Sequence, residues 1–367
     1  MDPTGPIAQR FPLIARSRPP CTALSARIDN LAALADRAAH DDDLTAASRV
    51  HNQAALIASD CKQPELARAW CHRHARAYLD GPTRDGRAAR QALEPLVNLA
   101  RLHIRAGNGD AAAALLDDLY QAVRARTDTI IDDITVPAAA LTSTADSHHE
   151  LTRWLWSVHL ADGTRALTTT GRWHEAETQL RQHNGIGRRM LDGRQVAIIT
   201  RIIHAEPSKA RHLLADTEVG EPWEAAVTAC LAALARPTGH PLPVAHLDAM
   251  ISQYQHVQWG GTLNVFHTRL ALSIMDAAGA MDHPAVQDTA RNLIRMVLNT
   301  GDGYAARDLL AHRACMSVST IEQTRKLATV RNESGLDQPM HPSQTSTLEA
   351  ALATSESVIT RRAPSAR

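Results

Sequence analysis

The chain has 367 residues, enough for two globular domains or one extended repeat array. Its 39 basic and 39 acidic residues cancel, leaving no bulk field to recruit nucleic acid or anionic membrane, and aromatic residues at 3 % are too few for a base-stacking platform. No apolar run approaches the roughly 18 residues of a membrane span, and five cysteines without regular spacing make no disulfide framework.

Residues 1–20 carry prolines at 3, 6, 12, 19 and 20 and no apolar stretch of signal-peptide length, which predicts a disordered arm and a cytoplasmic protein. Helical spacing starts near Thr22, with Leu24, Ile28, Leu31 and Leu34. Segments 44–59 and 65–79 read as a first helical hairpin, closed by the break from Gly81 to Gly86. Segments 87–106 and 110–126 make a second. The connector 127–147 holds the β-branched runs Thr129-Ile130-Ile131 and Ile134-Thr135-Val136, a short extended insertion. A third hairpin follows at 151–170 and 174–183, and a shorter fourth at 194–204 and 208–214. Glu221-Pro222-Trp223 opens a helix over 224–236. Beyond the Pro-rich break at 237–243, helices are expected at 244–254, 263–278, 285–299 and 305–312. The tail after about 331 is rich in Ser, Thr, Pro and Gln and reads as mostly disordered. One helix interrupts it, opened by the capping-box pattern Ser346-Thr347-Leu348-Glu349, with a thin stripe of Leu348, Leu352 and Ile359. The expected division is an arm at 1–20, repeats at 21–216, a helical region at 221–330 and a tail at 331–367.

Three hairpins share one grammar. Ala55 and Ala67, Ala100 and Ala112, and Thr164 and Ala176 are pairs of small residues twelve positions apart across a turn. Small side chains at a crossing let two antiparallel helices approach closely. The run from Asn98 to Asp110, leading to Ala112, resembles a tetratricopeptide repeat, as does Gly171-Arg172-Trp173-His174-Glu175-Ala176. The spacings from Ala55 to Ala100 and from Ala100 to Thr164, 45 and 64 residues, depart from that family's period of about 34. The chain is also similar to functionally unassigned helical-repeat proteins of actinomycetes, some beside antibiotic gene clusters. The resemblance implies an all-α, tetratricopeptide-like solenoid that binds a protein, peptide or small effector in its concave groove. Carried over position by position, Arg101, Ile104, Arg105, Arg165, Thr168 and Thr169 face that groove, where arginines can clamp a carboxylate or phosphate.

Other motifs are weaker. Cys71 and His74, with Cys61, lack the second ligand pair that zinc needs, so no metal is expected. His148-His149-Glu150 lacks the spacing that puts two imidazoles on one helical face. Gly185-Ile186-Gly187-Arg188-Arg189 follows no strand and lacks a third glycine. Trp154, Trp156 and Trp173 read as one hairpin's core with Leu151, Leu155 and Leu180. Residues 310–321 have a helix-turn-helix rhythm, with Cys315 at the usual glycine position, Ser319 and Thr320 opening a recognition helix, and Arg325 and Lys326 placed for phosphates. The leading expectation is a non-catalytic adaptor or effector sensor without cofactor, regulatory or accessory in actinobacterial specialised metabolism. The rivals are a DNA-binding regulator acting through 310–326 and an enzyme with a site around 148–194.

Overall fold

The computed structural model describes residues 1–80, 86–237, 240–258, 260–279 and 281–361. The chain is all-α, with one short strand pair among the described residues. In order, the described helices are α1 (Pro6–Arg10), α2 (Leu24–Asp41), α3 (Leu44–Asp60), α4 (Pro64–Leu79), α5 (Gly86–Arg105), α6 (Gly109–Ala125) and α7 (Ala145–Thr169). Then come α8 (Trp173–Gln182), α9 (Asp192–Ile203), α10 (Pro207–Ala215), α11 (Pro222–Leu234), α12 (Val244–Gln255), α13 (Asn264–Ala278) and α14 (Pro284–Thr300). The last are α15 (Gly303–Leu310), α16 (Arg313–Met316), α17 (Ile321–Glu333) and α18 (Pro342–Arg361). Many starts are written locally. Pro64, Pro207, Pro222 and Pro284 occupy first-turn positions, where a missing N–H costs nothing. Asp43, Asn108, Thr144 and Asp302 cap helices with their side chains.

The chain forms two compact units, neither continuous in sequence. The first comprises Met1–Ala23 and Gly171–Ser334, the second Leu24–Thr170 and the chain from Gly335 on. This differs from the expected division. It also puts Thr164 and Ala176, the third small-residue pair, in different units.

In the second unit each helix from α2 to α7 packs on its sequence neighbour, and α7 also packs on α5. The α5–α6 turn places Gly107 at φ +75 and brings Gly109 against α7. A Cβ at Gly109 would lie 2.3 Å from the Ala166 carbonyl oxygen, so only glycine allows this approach. The β-branched runs pair as an antiparallel hairpin, β1 (Thr129–Ile131) and β2 (Ile134–Val136), with Ile131 opposite Ile134. Its two-residue turn, Asp132-Asp133, has positive φ at both positions, as the twist of a tight hairpin requires. Arg68 holds the Asp132 carboxylate with bonds of 2.9 and 2.7 Å, and His72 adds a third at 2.8 Å. The Arg68 bond and charge hold the Asp132 carboxyl down to about 2.

The tail corrects the expectation of disorder. Helix α18 begins at Pro342 rather than Ser346 and packs on α2, α3 and α4. It buries Leu348, Leu352, Val358 and Ile359 along one face. The stripe is thin, but polar ties reinforce it. Trp70 donates to Glu349 at 2.6 Å, and Arg73 donates to Glu349 at 2.9 Å and Glu356 at 2.7 Å.

The arm is likewise structured, within the first unit. Trp173 Nε1 donates to the Pro3 carbonyl at 2.9 Å. The Gln195 amide brackets Leu13, accepting from its N–H at 2.7 Å and donating to its carbonyl at 2.8 Å. Further along, the Gly303 N–H donates to the Cys21 carbonyl at 2.8 Å. Phe11, Leu13 and Cys21 are buried. A Pro-rich segment makes few internal backbone bonds, so its groups are met by side chains of the helices it crosses. Around it, α9 packs on α8, α10 and α11, and α13 packs on α11, α14 and α15.

Candidate functional site

The six groove candidates all lie in the second unit, on α5 and α7. Arg101 donates to Asp162 through Nε at 3.1 Å and Nη2 at 2.8 Å. Arg105 Nη1 meets Asp60 at 2.8 Å and Ser59 at 3.0 Å. Ile104 is half-buried, while Thr168 and Thr169 turn their hydroxyls back to the Arg165 carbonyl, at 3.4 and 2.8 Å, with Thr168 buried. Arg101 and Arg105 are thus engaged by carboxylates of neighbouring helices, and an incoming anion would have to displace these. Asp60, whose side chain is almost wholly buried, also accepts from Arg27 at 2.8 Å and so joins α2, α3 and α5.

The helix-turn-helix candidate takes another geometry. Helix α15 ends at Leu310, and a single turn, α16, intervenes before α17. Cys315 lies inside that turn, buried, rather than in a left-handed bend. Thr320 and Gln323 form a capping box at the start of α17, and Ser319 Oγ donates to the Met316 carbonyl at 2.7 Å. Arg325 is exposed, and Lys326 pairs with Glu322 on the same helix at 2.8 Å. Of the two hydroxyls expected at DNA, Thr320 caps α17 and Ser319 is tied to Met316 and Thr324.

Around 148–194 the groups do not converge. His149 and Glu150 are exposed near the start of α7, which Thr144 caps. Arg188 pairs with Asp216 at 3.0 Å, and Arg189 pairs with Glu224, so the glycine-rich segment offers a phosphate no open arginine fork. The tryptophan core divides. Trp154 and Trp156 are half-buried in the second unit, with Arg90 5.2 Å above the Trp154 ring, whereas Trp173 and Leu180 are buried in the first. Cys61, Cys71 and His74 are buried, and neither cysteine is in a disulfide. Among the described residues, no group of three or more His, Cys, Asp or Glu is placed to hold a metal ion.

A half-open cavity lies in the first unit. It has a volume of about 910 Å³, within the range of small-molecule sites. The last turns of α9, α11 and α13 contribute Ile202, Ala233, Leu234 and Ala277, and the arm contributes Ile7. Pro237 and Pro241 extend the apolar wall, and Arg236, His240, Asp276 and Asp2 supply its polar groups.

Two of those polar groups are fixed by the fold. Asp276 accepts from Arg10 through one oxygen and from His312 Nε2 through the other, at 3.1 Å. His312 Nδ1 accepts the Cys315 N–H at 3.0 Å, which leaves the ring proton on Nε2 for Asp276. Burial raises the Asp276 carboxyl, but the bonds from His312 and Arg10 outweigh it and hold the group below its usual range. Arg236 serves three carbonyls: Nε donates to His240 at 2.9 Å, and Nη1 to Ala233 and Ala277, both at 2.8 Å. The last two belong to the closing turns of α11 and α13, whose carbonyls lack helical partners.

Fold and site define an all-α protein of two units with a half-open, mainly apolar cavity in one of them. No protein-family model, curated protein or solved structure matches the chain. No described helix is long and apolar enough to cross a membrane.

Sequence reasoning missed Arg236 and Asp276. Asp276 had a signal, being the only charged residue between Arg269 and Asp282 in an otherwise apolar helical run. Arg236 had less: it ends an alanine-rich helix before a proline, a position that reads equally well as a simple C-terminal charge.

Proposed function

We propose that this protein is a non-catalytic effector sensor that binds a small, mainly apolar ligand in the cavity of its first unit. The observation carrying this reading is the cavity itself, of about 910 Å³, formed by three helix ends and the arm. Burial pushes the Cys71 and Cys315 thiols up to about 12, so neither supplies a thiolate nucleophile at neutral pH. Neighbour-on-neighbour packing from α2 to α7 supports a tetratricopeptide-like solenoid in the second unit, with a protein or peptide as its partner. The setting we attach to it is cytoplasmic, as the sequence reading expects, and regulatory or accessory, as the resemblance implies.

The neutral fluorophore N-phenyl-1-naphthylamine tests the reading, since it brightens on entering an apolar site. Saturable binding of one molecule per chain is expected. Leu234→Asp, which sets a charge on the half-buried apolar wall, should weaken it by about tenfold with little loss of melting temperature. Absence of saturable binding, or identical binding by Leu234→Asp, refutes the cavity as the ligand site.

A further inference from the structure

We infer that the ligand of this cavity is an amphipathic carboxylate, its anionic head on Arg236 and its apolar body along Ile7, Ile202 and Leu234. This rests on the reading that the cavity binds a small molecule, and adds the chemical class.

The argument starts from the charges on the wall. Asp276 is answered by two donors, Arg10 and His312, one on each carboxylate oxygen. Asp2 turns one carboxylate oxygen to the backbone N–H and hydroxyl of Thr4, at 2.9 and 3.0 Å. Arg236 differs. It is half-buried, its described partners are all main-chain carbonyls, and no described carboxylate lies within ion-pair reach of it. Those carbonyls take Nε and Nη1 and lock the guanidinium plane, while Nη2 makes no hydrogen bond to any described residue. A fixed guanidinium with one nitrogen, Nη2, left over loses little side-chain entropy on receiving a carboxylate oxygen, and a charge-assisted bond of this kind is among the stronger ones.

The rest of the wall sets the body of the ligand. Ile7, Ile202, Leu234 and Pro237 offer aliphatic surface with no side-chain hydrogen-bonding group. A ligand with polar groups spread along its length would leave them unmatched there. An alkyl or compact ring system carrying one terminal carboxylate meets both demands.

Decanoate, decan-1-ol and decylamine, one chain with three heads, test this by displacing N-phenyl-1-naphthylamine from the intact protein. Decanoate is expected to bind about tenfold or more tightly than decan-1-ol, with decylamine weakest. Arg236→Gln should erase the decanoate preference and keep the decan-1-ol affinity. If that variant does not fold, the ranking in the unmodified protein and its weakening by salt decide the matter. Decan-1-ol or decylamine displacing the fluorophore as well as decanoate does overturns the carboxylate assignment and leaves the cavity reading intact. Failure of the fluorophore and all three chains to bind overturns both.

Discussion

The most exacting prediction concerns two buried imidazoles. His51 of α3 and His74 of α4 stack face to face in the second unit, ring centres 4.7 Å apart and planes 14° from parallel. Each is about 1 % exposed. Both nitrogens of His51 and Nε2 of His74 make no hydrogen bond. A proton on either ring would place an unpaired charge in an apolar interior, and Tyr78, edge-on to His74 at 5.5 Å, offers no compensation. Burial therefore lowers His51 to about 3, with Arg73 adding repulsion, and lowers His74 well below its ordinary value of 6.5.

The unfolded chain binds protons at both sites below about pH 6.5 and the folded chain does not, so stability falls with pH from there downward. At about 1.4 kcal/mol per pH unit, pH 5.0 costs about 2 kcal/mol at His51, and His74 adds to the loss in the same direction. Carboxylates titrate near pH 4 and contribute little across this window. The first unit has one comparable ring, His267, lowered to about 4 by burial, and should lose about 2 kcal/mol over the same interval. Pulsed hydrogen exchange in graded urea at pH 7.5 and 5.0, read on peptides from 44–79 and from 264–278, measures the units separately. The double variant His51→Leu/His74→Leu should remove most of the loss in the second unit alone. An unchanged acid loss in that variant, or a loss below about 1 kcal/mol in the unmodified protein, refutes the reasoning.

Two other substitutions probe the second unit. Gly109→Ala drives a methyl group to 2.3 Å from the Ala166 carbonyl oxygen, so α6 and α7 must separate. A loss of about 3 kcal/mol is expected from chemical denaturation, and a change below about 0.5 kcal/mol would show that the close approach has slack. Asp60→Asn removes the charge that joins Arg27 and Arg105 while keeping the shape of the side chain. It should cost about 3 kcal/mol, read by the same assay, and adding Arg27→Met should recover part of it. A neutral outcome for Asp60→Asn would mean that packing alone holds α2, α3 and α5 together.

The helices were legible because their determinants are local. Segments expected at 44–59, 65–79 and 87–106 fall within two residues of α3, α4 and α5 at either end. Apolar spacing sets the buried face, and residues such as Asp43, Pro64, Pro207 and Asn108 mark where a helix can begin. The strand pair was written in the same way, by β-branched residues flanking two aspartates that tolerate positive φ. Composition misled at both ends of the chain. The arm and the tail look too polar to fold alone, and each is ordered by groups far away in sequence: Gln195 and Trp173 for the arm, Trp70 and Arg73 for α18.

Only the tertiary structure brings the cavity's residues together. Arg101 and Arg105 have the residue type and spacing of a ligand clamp, but Asp162 and Asp60 reach them first. Arg236 and Asp276 lie 40 positions apart and share a wall because α11 and α13 end beside each other. A sequence fixes which groups a chain carries and which local shapes they favour. Whether a charge is met by a neighbour or left open to a ligand depends on distances between segments, which no local pattern encodes.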